Sequence, residues 1–302
     1  MKRWIWSSIA IVSNGCHVPS PPRAEAPRPG AVPTDAPRRI GGFDLPESAR
    51  WDERADVYLV SNIGGAPFAE DDDGWIASVA PDSGVVRRLV DGAAPDVRLD
   101  SPRGLALLGD TLYVADLRTV RGFDRTTGAG RGAWPIDGAV MLNDVVADGD
   151  ALYVSDSGMP PARQPAGAHH AIYRLVPATG AITTVMRGAD LGRPNGLVMH
   201  DGALWVATYA TGVLGRVCGD AICDAGKLPG GGLDGLAITA DGTWFASSQE
   251  TNAIYAGAPG GSWRVIASDL AAPADLGWDA TRARLLIPLL ESGELAIIPV
   301  GR

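Results

Sequence analysis

Pro194-Asn195-Gly196-Leu197-Val198-Met199, then a polar turn at Asp201-Gly202, then an apolar run from Leu204 to Ala207: this unit recurs along the chain, and its recurrence decides the fold. Five more segments align with its first half. They are Pro46-Glu47-Ser48-Ala49-Arg50-Trp51-Asp52, Pro102-Arg103-Gly104-Leu105-Ala106-Leu107, Leu142-Asn143-Asp144-Val145-Val146-Ala147, Leu233-Asp234-Gly235-Leu236-Ala237-Ile238 and Ala274-Asp275-Leu276-Gly277-Trp278-Asp279. Each leads through a turn into a second strand: Val57 to Ser61, Leu112 to Ala115, Leu152 to Ser155, Thr243 to Ala246 and Leu285 to Leu289. Several units show a third strand, such as Val120 to Asp124 closed by Thr126-Thr127-Gly128.

The register repeats as well. Thirteen residues separate Arg103 from Asp116, Asn143 from Asp156, Asn195 from Thr208 and Asp234 from Ser247. Unit starts fall 39 to 56 residues apart, the spacing of propeller blades with loop insertions. A pair of β-sandwiches would not keep that register four times. The reading is therefore an all-β, six-bladed β-propeller of four-stranded antiparallel blades over residues 40–302. The last unit is short, so the segment Ile40 to Leu45 is expected to supply its outer strand and close the ring. Leu105, Val145, Leu197 and Leu236 are expected to pack between blades.

Composition agrees. Of 302 residues 46% are hydrophobic, cut up by 39 Gly and 23 Pro, which suits many short strands and turns. A formal charge of -9 repels phosphate backbones and anionic lipid, so nucleic acid is excluded as an expected partner. A small molecule is the expected partner, and the chain is read as a monomer.

Residues 1–16 carry a basic start, Met1-Lys2-Arg3, and a short apolar run, which read as an export signal. Gly15-Cys16 is similar to the end of a bacterial lipobox. Lipidation at Cys16 would anchor the protein to a membrane, in the periplasm or on the outer membrane; ordinary cleavage nearby is the other reading. Residues 17–39, rich in Pro, Ala and Arg, read as an extended tether. Cys218 and Cys223 flank what reads as a hairpin tip. In an oxidising compartment they are expected to form a disulfide, the alternatives being two free thiols or half of a metal site.

In a propeller the innermost strands line a central channel, so the repeated polar position brings Glu47, Arg103, Asn143, Asn195, Asp234 and Asp275 together at one mouth. Carboxylates gathered there repel, and burial penalises them. Arg103 offsets part of that charge. Carboxylate and amide oxygens without sulfur or histidine suit a hard divalent cation, Ca²⁺ or Mg²⁺; the other reading is that they cap turns. The run Glu70-Asp71-Asp72-Asp73 reads as a charged hairpin tip, and His169-His170 as a solvated pair on a long insertion. Motifs of serine hydrolases, zinc proteases and nucleotide-binding loops are absent.

These segments resemble the senescence marker protein, gluconolactonase and luciferin-regenerating enzyme family, six-bladed propellers with a calcium or other divalent ion on the axis. The segment Pro46 to Asp52 is similar to that family's opening Glu element, and Pro194-Asn195-Gly196 and Leu233-Asp234-Gly235 to its later elements. The resemblance implies Glu47, Asn195 and Asp234 as metal ligands with Asn143 beside them, Ca²⁺ as the cofactor, and hydrolysis of a small lactone or ester with Asp234 as base. Arg103, Asp275, Asn143 and Met141 would then face the substrate. Members that act on sugar lactones carry an Arg where Met141 stands, so a less polar substrate is expected. Arg193, two residues before Asn195, reads as a surface residue after Gly192, the other reading being that it compensates for the arginine missing at Met141. A propeller that binds a ligand or partner without catalysis is the competing expectation, since fold alone does not choose.

Overall fold

In the computed structural model, which describes residues 37–158 and 170–301, six four-stranded antiparallel sheets follow one another along the chain. The first blade runs Pro46–Asp52, Val57–Asn62, Trp75–Val79 and Val86–Asp91, from innermost to outermost. The inner strands of the next five are Pro102–Leu108, Leu142–Asp148, Pro194–His200, Leu233–Ile238 and Gly277–Asp279. Among the described residues the helical content is one 3-10 turn, Ala189–Leu191, and no helix is long and apolar enough to cross a membrane.

Alternation along the strands sends one set of side chains into each gap between blades. Leu105 lies with Leu59 and Ile76 of the preceding blade, Val145 with Ala106 and Tyr113, Leu197 with Ile172 and Met186, and Leu236 with Leu214 and Leu228. All four leucine and valine positions expected between blades are there.

Ring closure joins the two ends of the chain in one blade. Arg38–Gly41 pairs with Glu294–Pro299 as the outermost strand of the sixth blade, from Arg38 opposite Ile297 to Gly41 opposite Glu294. The closing strand thus starts two residues before the expected Ile40 and ends before Phe43. The reason is a fit at Arg38, whose guanidinium donates to the carbonyls of Pro81 and Asp82 in the first blade. Arg39 adds an ion pair to Glu294 at 2.9 Å. Across the same seam the Tyr58 hydroxyl donates to Asp279 at 2.8 Å, and Arg282 pairs with Asp56 and Asp82. The signal, Cys16 and most of the tether lie outside the described residues, as do residues 159–169 of the long insertion.

The two cysteines expected to pair come together in the fold. Cys218 and Cys223 are free, half-buried thiols on adjacent strands of the fourth blade, hydrogen-bonded to each other. Cys218 stands opposite Ala221 and Cys223 opposite Arg216. They are diagonal neighbours across the strand pair.

Truncation tests the closure. A chain starting at residue 37 should melt with the full domain, whereas one starting at residue 42 should lose on the order of 5–10 °C in Tm, measured by calorimetry, for the strand and arginine contacts removed. Equal melting of the two would show that the ring does not depend on Arg38–Gly41.

Candidate functional site

The inner strands share a device that the repeat alone did not disclose. Five of them carry a β-bulge at the polar residue: the register slips between Pro46 and Ala49, Pro102 and Leu105, Leu142 and Val145, Pro194 and Leu197, and Leu233 and Leu236. A bulge inserts one extra residue and re-aims its side chain. Here it turns Glu47, Arg103, Asn143, Asn195 and Asp234 out of the pleat and toward the axis. The amide left out of the ladder needs an acceptor. Ser61, Ser155 and Ser247 supply it, their hydroxyls accepting from the N–H groups of Ser48, Asp144 and Gly235 at 2.8–2.9 Å.

The end of each second strand braces the incoming loop. Asp116 accepts from the amides of Asp100 and Ser101, Asp156 from those of Val140 and Met141, and Asn62 from that of Asp44. These residues face Pro102, Leu142 and Pro46. In the fifth blade the residue facing Leu233 is Ser248, not Ser247, because the Thr239 to Thr243 turn is one residue longer. The thirteen-residue register therefore holds structurally in three blades, and Ser247 serves the bulge instead.

Six polar side chains meet at the axis, each at most 6% exposed: Glu47, Arg103, Asn143, Asn195, Asp234 and Asp275. Arg103 Nη1 lies 3.9 Å from Glu47 Oε1, and its Nη2 donates to the Pro67 carbonyl at 2.8 Å. Asn143 Nδ2 donates to Ser157 Oγ, and Gln249 Nε2 donates to Asp234 Oδ2 at 2.7 Å. One atom of every member is buried without a partner: Glu47 Oε2, Asn143 Oδ1, Asn195 Oδ1, Asp234 Oδ1, Asp275 Oδ1 and, as a donor, Arg103 Nε. Buried oxygens left bare cost about 1–3 kcal/mol each. Four of these oxygens, on Glu47, Asn143, Asn195 and Asp234, form a donor set that a cation would satisfy.

Deeper in the same strands lies a second tier. Arg50 Nη2 pairs with Asp275 at 2.9 Å and Asp144 at 3.5 Å, while its other nitrogens donate to the Leu105 and Leu276 carbonyls. Asp275 also accepts from Ser48 Oγ at 2.6 Å. Asp144 accepts from the amides of Val145 and Leu197. Over the two tiers four carboxylates face two guanidinium groups, a surplus of two negative charges when every acid is ionised. That is the charge of one divalent cation.

The surplus shows in the acids. Burial, then the charge of Asp275, pushes Asp234 up to about 8 against the pull of Arg103. Burial and Asp234 raise Glu47 well above the usual carboxylate range. A cation among them would stabilise the ionised forms and offset both shifts. Among the described residues no group of three or more His, Cys, Asp or Glu is placed to hold a metal; the set here is two carboxylates and two amides, the oxygen chemistry of a hard ion.

Two expected substrate contacts are corrected. Met141 is fully buried, its amide bonded to Asp156 and its carbonyl to Ser157, so its side chain does not reach the mouth. Asp275 is 1% exposed and its bonded oxygen is committed to Ser48 and Arg50, which makes it a brace between the tiers. His170 is buried rather than solvated, with Nδ1 accepting from the Arg193 amide. Gln249, Arg50 and Ser157 were missed. Arg50 and Ser157 sit at repeated positions but without a repeated residue type, and Gln249 lies beyond a strand end where no pattern runs.

No family model and no curated protein matches the chain in sequence. Solved structures do match in fold. A gluconolactonase from Xanthomonas campestris superposes with TM-score 0.67 at 20% identity, covering 87% of this chain and 88% of its own. A second structure, described as a candidate gluconolactonase, gives 0.65 at 19% identity, covering 86% and 91%. A streptogramin B lyase gives 0.60 at 12% identity, covering 87% and 97%. Identities this low carry a likeness of fold, and not the chemistry.

If the bare oxygens await a cation, millimolar Ca²⁺ should raise the Tm of chelator-treated protein by several degrees through binding to the folded state alone. Glu47→Gln should shrink that shift at least by half in a thermal melt. No shift with Ca²⁺, Mg²⁺ or Mn²⁺ would contradict the reading.

Proposed function

We propose that the chain is a divalent-cation-dependent hydrolase of a small lactone or ester, with Ca²⁺ the ion its donors suit best. The observation that carries this is the set of bare axial oxygens together with two uncompensated negative charges. Glu47, Asn143, Asn195 and Asp234 would hold the ion through Oε2 and the three Oδ1 atoms. When bound, the ion supplies Lewis-acid polarisation of the carbonyl and charge stabilisation of the oxyanion.

The chain's own groups supply the rest. Gln249 holds Asp234 Oδ2, so Oδ1 is the oxygen turned to the axis, placed to take the proton of an attacking water. Arg103 Nε is the one unmatched donor of the set and is free to hydrogen-bond the developing oxyanion. The guanidinium is held against Pro67 and over the Phe68 ring, so that donor is positioned before substrate arrives. The place of action proposed is the cell envelope, on the strength of the signal-like residues 1–16.

One observation favours a second reading, a binding propeller in which the ion is a structural plug: the axial residues are almost fully buried. Metal analysis of the purified domain, followed by a lactone and aryl-ester screen with and without chelator, separates the two. Turnover that chelator abolishes and Ca²⁺ restores is the expected result. Bound metal with no turnover on any lactone or ester would favour the plug. Asp234→Asn should keep much of the metal, since an amide oxygen still coordinates, and lose hydrolysis by roughly 10²-fold or more; full activity in that variant would remove Asp234 as base.

A further inference from the structure

Arg193 is the half-buried cation for which the axial chemistry has no use. It stands two residues before Asn195 with φ 62°, in the left-handed region where a long side chain costs strain. Its guanidinium lies over the Tyr209 ring, Cζ 5.0 Å from the centroid. Among the described residues its side chain has no hydrogen bond and no acidic partner. Arg87 and Arg264 also lack one, but both are exposed and need none.

A desolvated cation without a counter-charge is costly unless something brings the charge to it. The position says from which side. Arg193 closes the loop that enters an inner strand, and Tyr209 opens the loop after the second strand of the same blade, at the mouth where the axial residues begin. The Tyr209 hydroxyl donates to Gln249 Oε1 at 3.2 Å, and Gln249 donates to Asp234. The cation therefore stands at the outer end of a contact chain whose inner end is an axial carboxylate.

We propose that Arg193, seated on Tyr209, is a specificity-determining subsite for a carboxylate on the substrate. The molecule hydrolysed would then be a lactone or ester that also bears an acid group, its carbonyl at the axis and its carboxylate on Arg193. A single guanidinium fork matches one planar monoanion. A phosphate dianion would call for further donors, and among the described residues no Lys or Arg is recorded against the Arg193 side chain. In a chain of net charge -9 an uncompensated arginine at the mouth also distinguishes this spot from the rest of the surface. The proposal rests on the hydrolase reading for its reaction but not for its binding.

The test uses γ-butyrolactone, its ring-carboxylated analogue 5-oxotetrahydrofuran-2-carboxylate, and glutarate as a dicarboxylate with no bond to cleave. Wild-type protein should prefer the charged lactone in kcat/KM. Arg193→Gly should cut that preference about 10–100-fold, through KM, the worth of a charge-assisted hydrogen bond. Arg193→Lys, which keeps charge but not the fork, should fall between. Glycine suits a φ of 62°, so the Arg193→Gly variant should melt at or above the wild-type temperature, and lost selectivity then cannot be lost fold. An unchanged preference in Arg193→Gly, or a wild type that hydrolyses neutral lactones as well as charged ones, overturns the subsite and leaves the hydrolase standing. If no lactone is hydrolysed, calorimetry with glutarate decides: binding that weakens tenfold or more in Arg193→Gly supports the subsite while the hydrolase reading fails, and no binding to wild type overturns it.

Discussion

Six inner strands are packed so closely around one axis that three of them have no room for a Cβ facing the next blade. One built at Gly104 would strike Asp144, at Gly196 the Asp234 carbonyl, and at Gly235 the backbone of Asp275 and Leu276. The glycines of the Asn-Gly and Asp-Gly pairs are thus there for close approach between strands and not for turns. The same crowding decides what the preceding residue does. With its neighbours pressed against it and a bulge turning it out of the pleat, each polar side chain has only the axis to occupy.

That crowding separates two kinds of polar group. In the deeper tier Arg50, Asp144 and Ser48 satisfy one another and the flanking carbonyls, leaving only Asp275 Oδ1 bare. Such a network locks blades together and has no remaining capacity for a ligand. In the upper tier the braces are just as complete around the cluster, through Ser157, Gln249 and Pro67, yet each side chain keeps one atom unmatched. Among the described residues the buried side-chain atoms without a partner are Asp275 Oδ1 below and, in the upper tier, four oxygens and the Arg103 Nε donor. On the reading proposed above, a cation would be the partner of the four oxygens.

The sequence made the axial set readable because an axial residue must recur at one place in every blade, and position, not residue type, is what repeats. Glu47, Arg103, Asn143, Asn195, Asp234 and Asp275 were all found that way, and all six meet at the axis. What escaped notice depends on three-dimensional neighbours. Gln249 reaches Asp234 from a loop whose sequence has no counterpart in the other blades. Met141 occupies a position that suggests substrate contact, but the Asp156 brace draws its backbone inward. The one-residue difference between Ser247 and Ser248 follows from a longer turn that equal spacing cannot see. The early start of the closing strand depends on Arg38 finding carbonyls of the first blade, a contact between residues far apart in the chain.

Anomalous diffraction from crystals grown with Mn²⁺ in place of Ca²⁺ tests the central claim most directly. The account predicts a single anomalous peak on the propeller axis, about 2.0–2.6 Å from Glu47 Oε2 and from the Oδ1 atoms of Asn143, Asn195 and Asp234. An axis holding only ordered water, with the Arg103 guanidinium swung in to cover the bare oxygens, would contradict it.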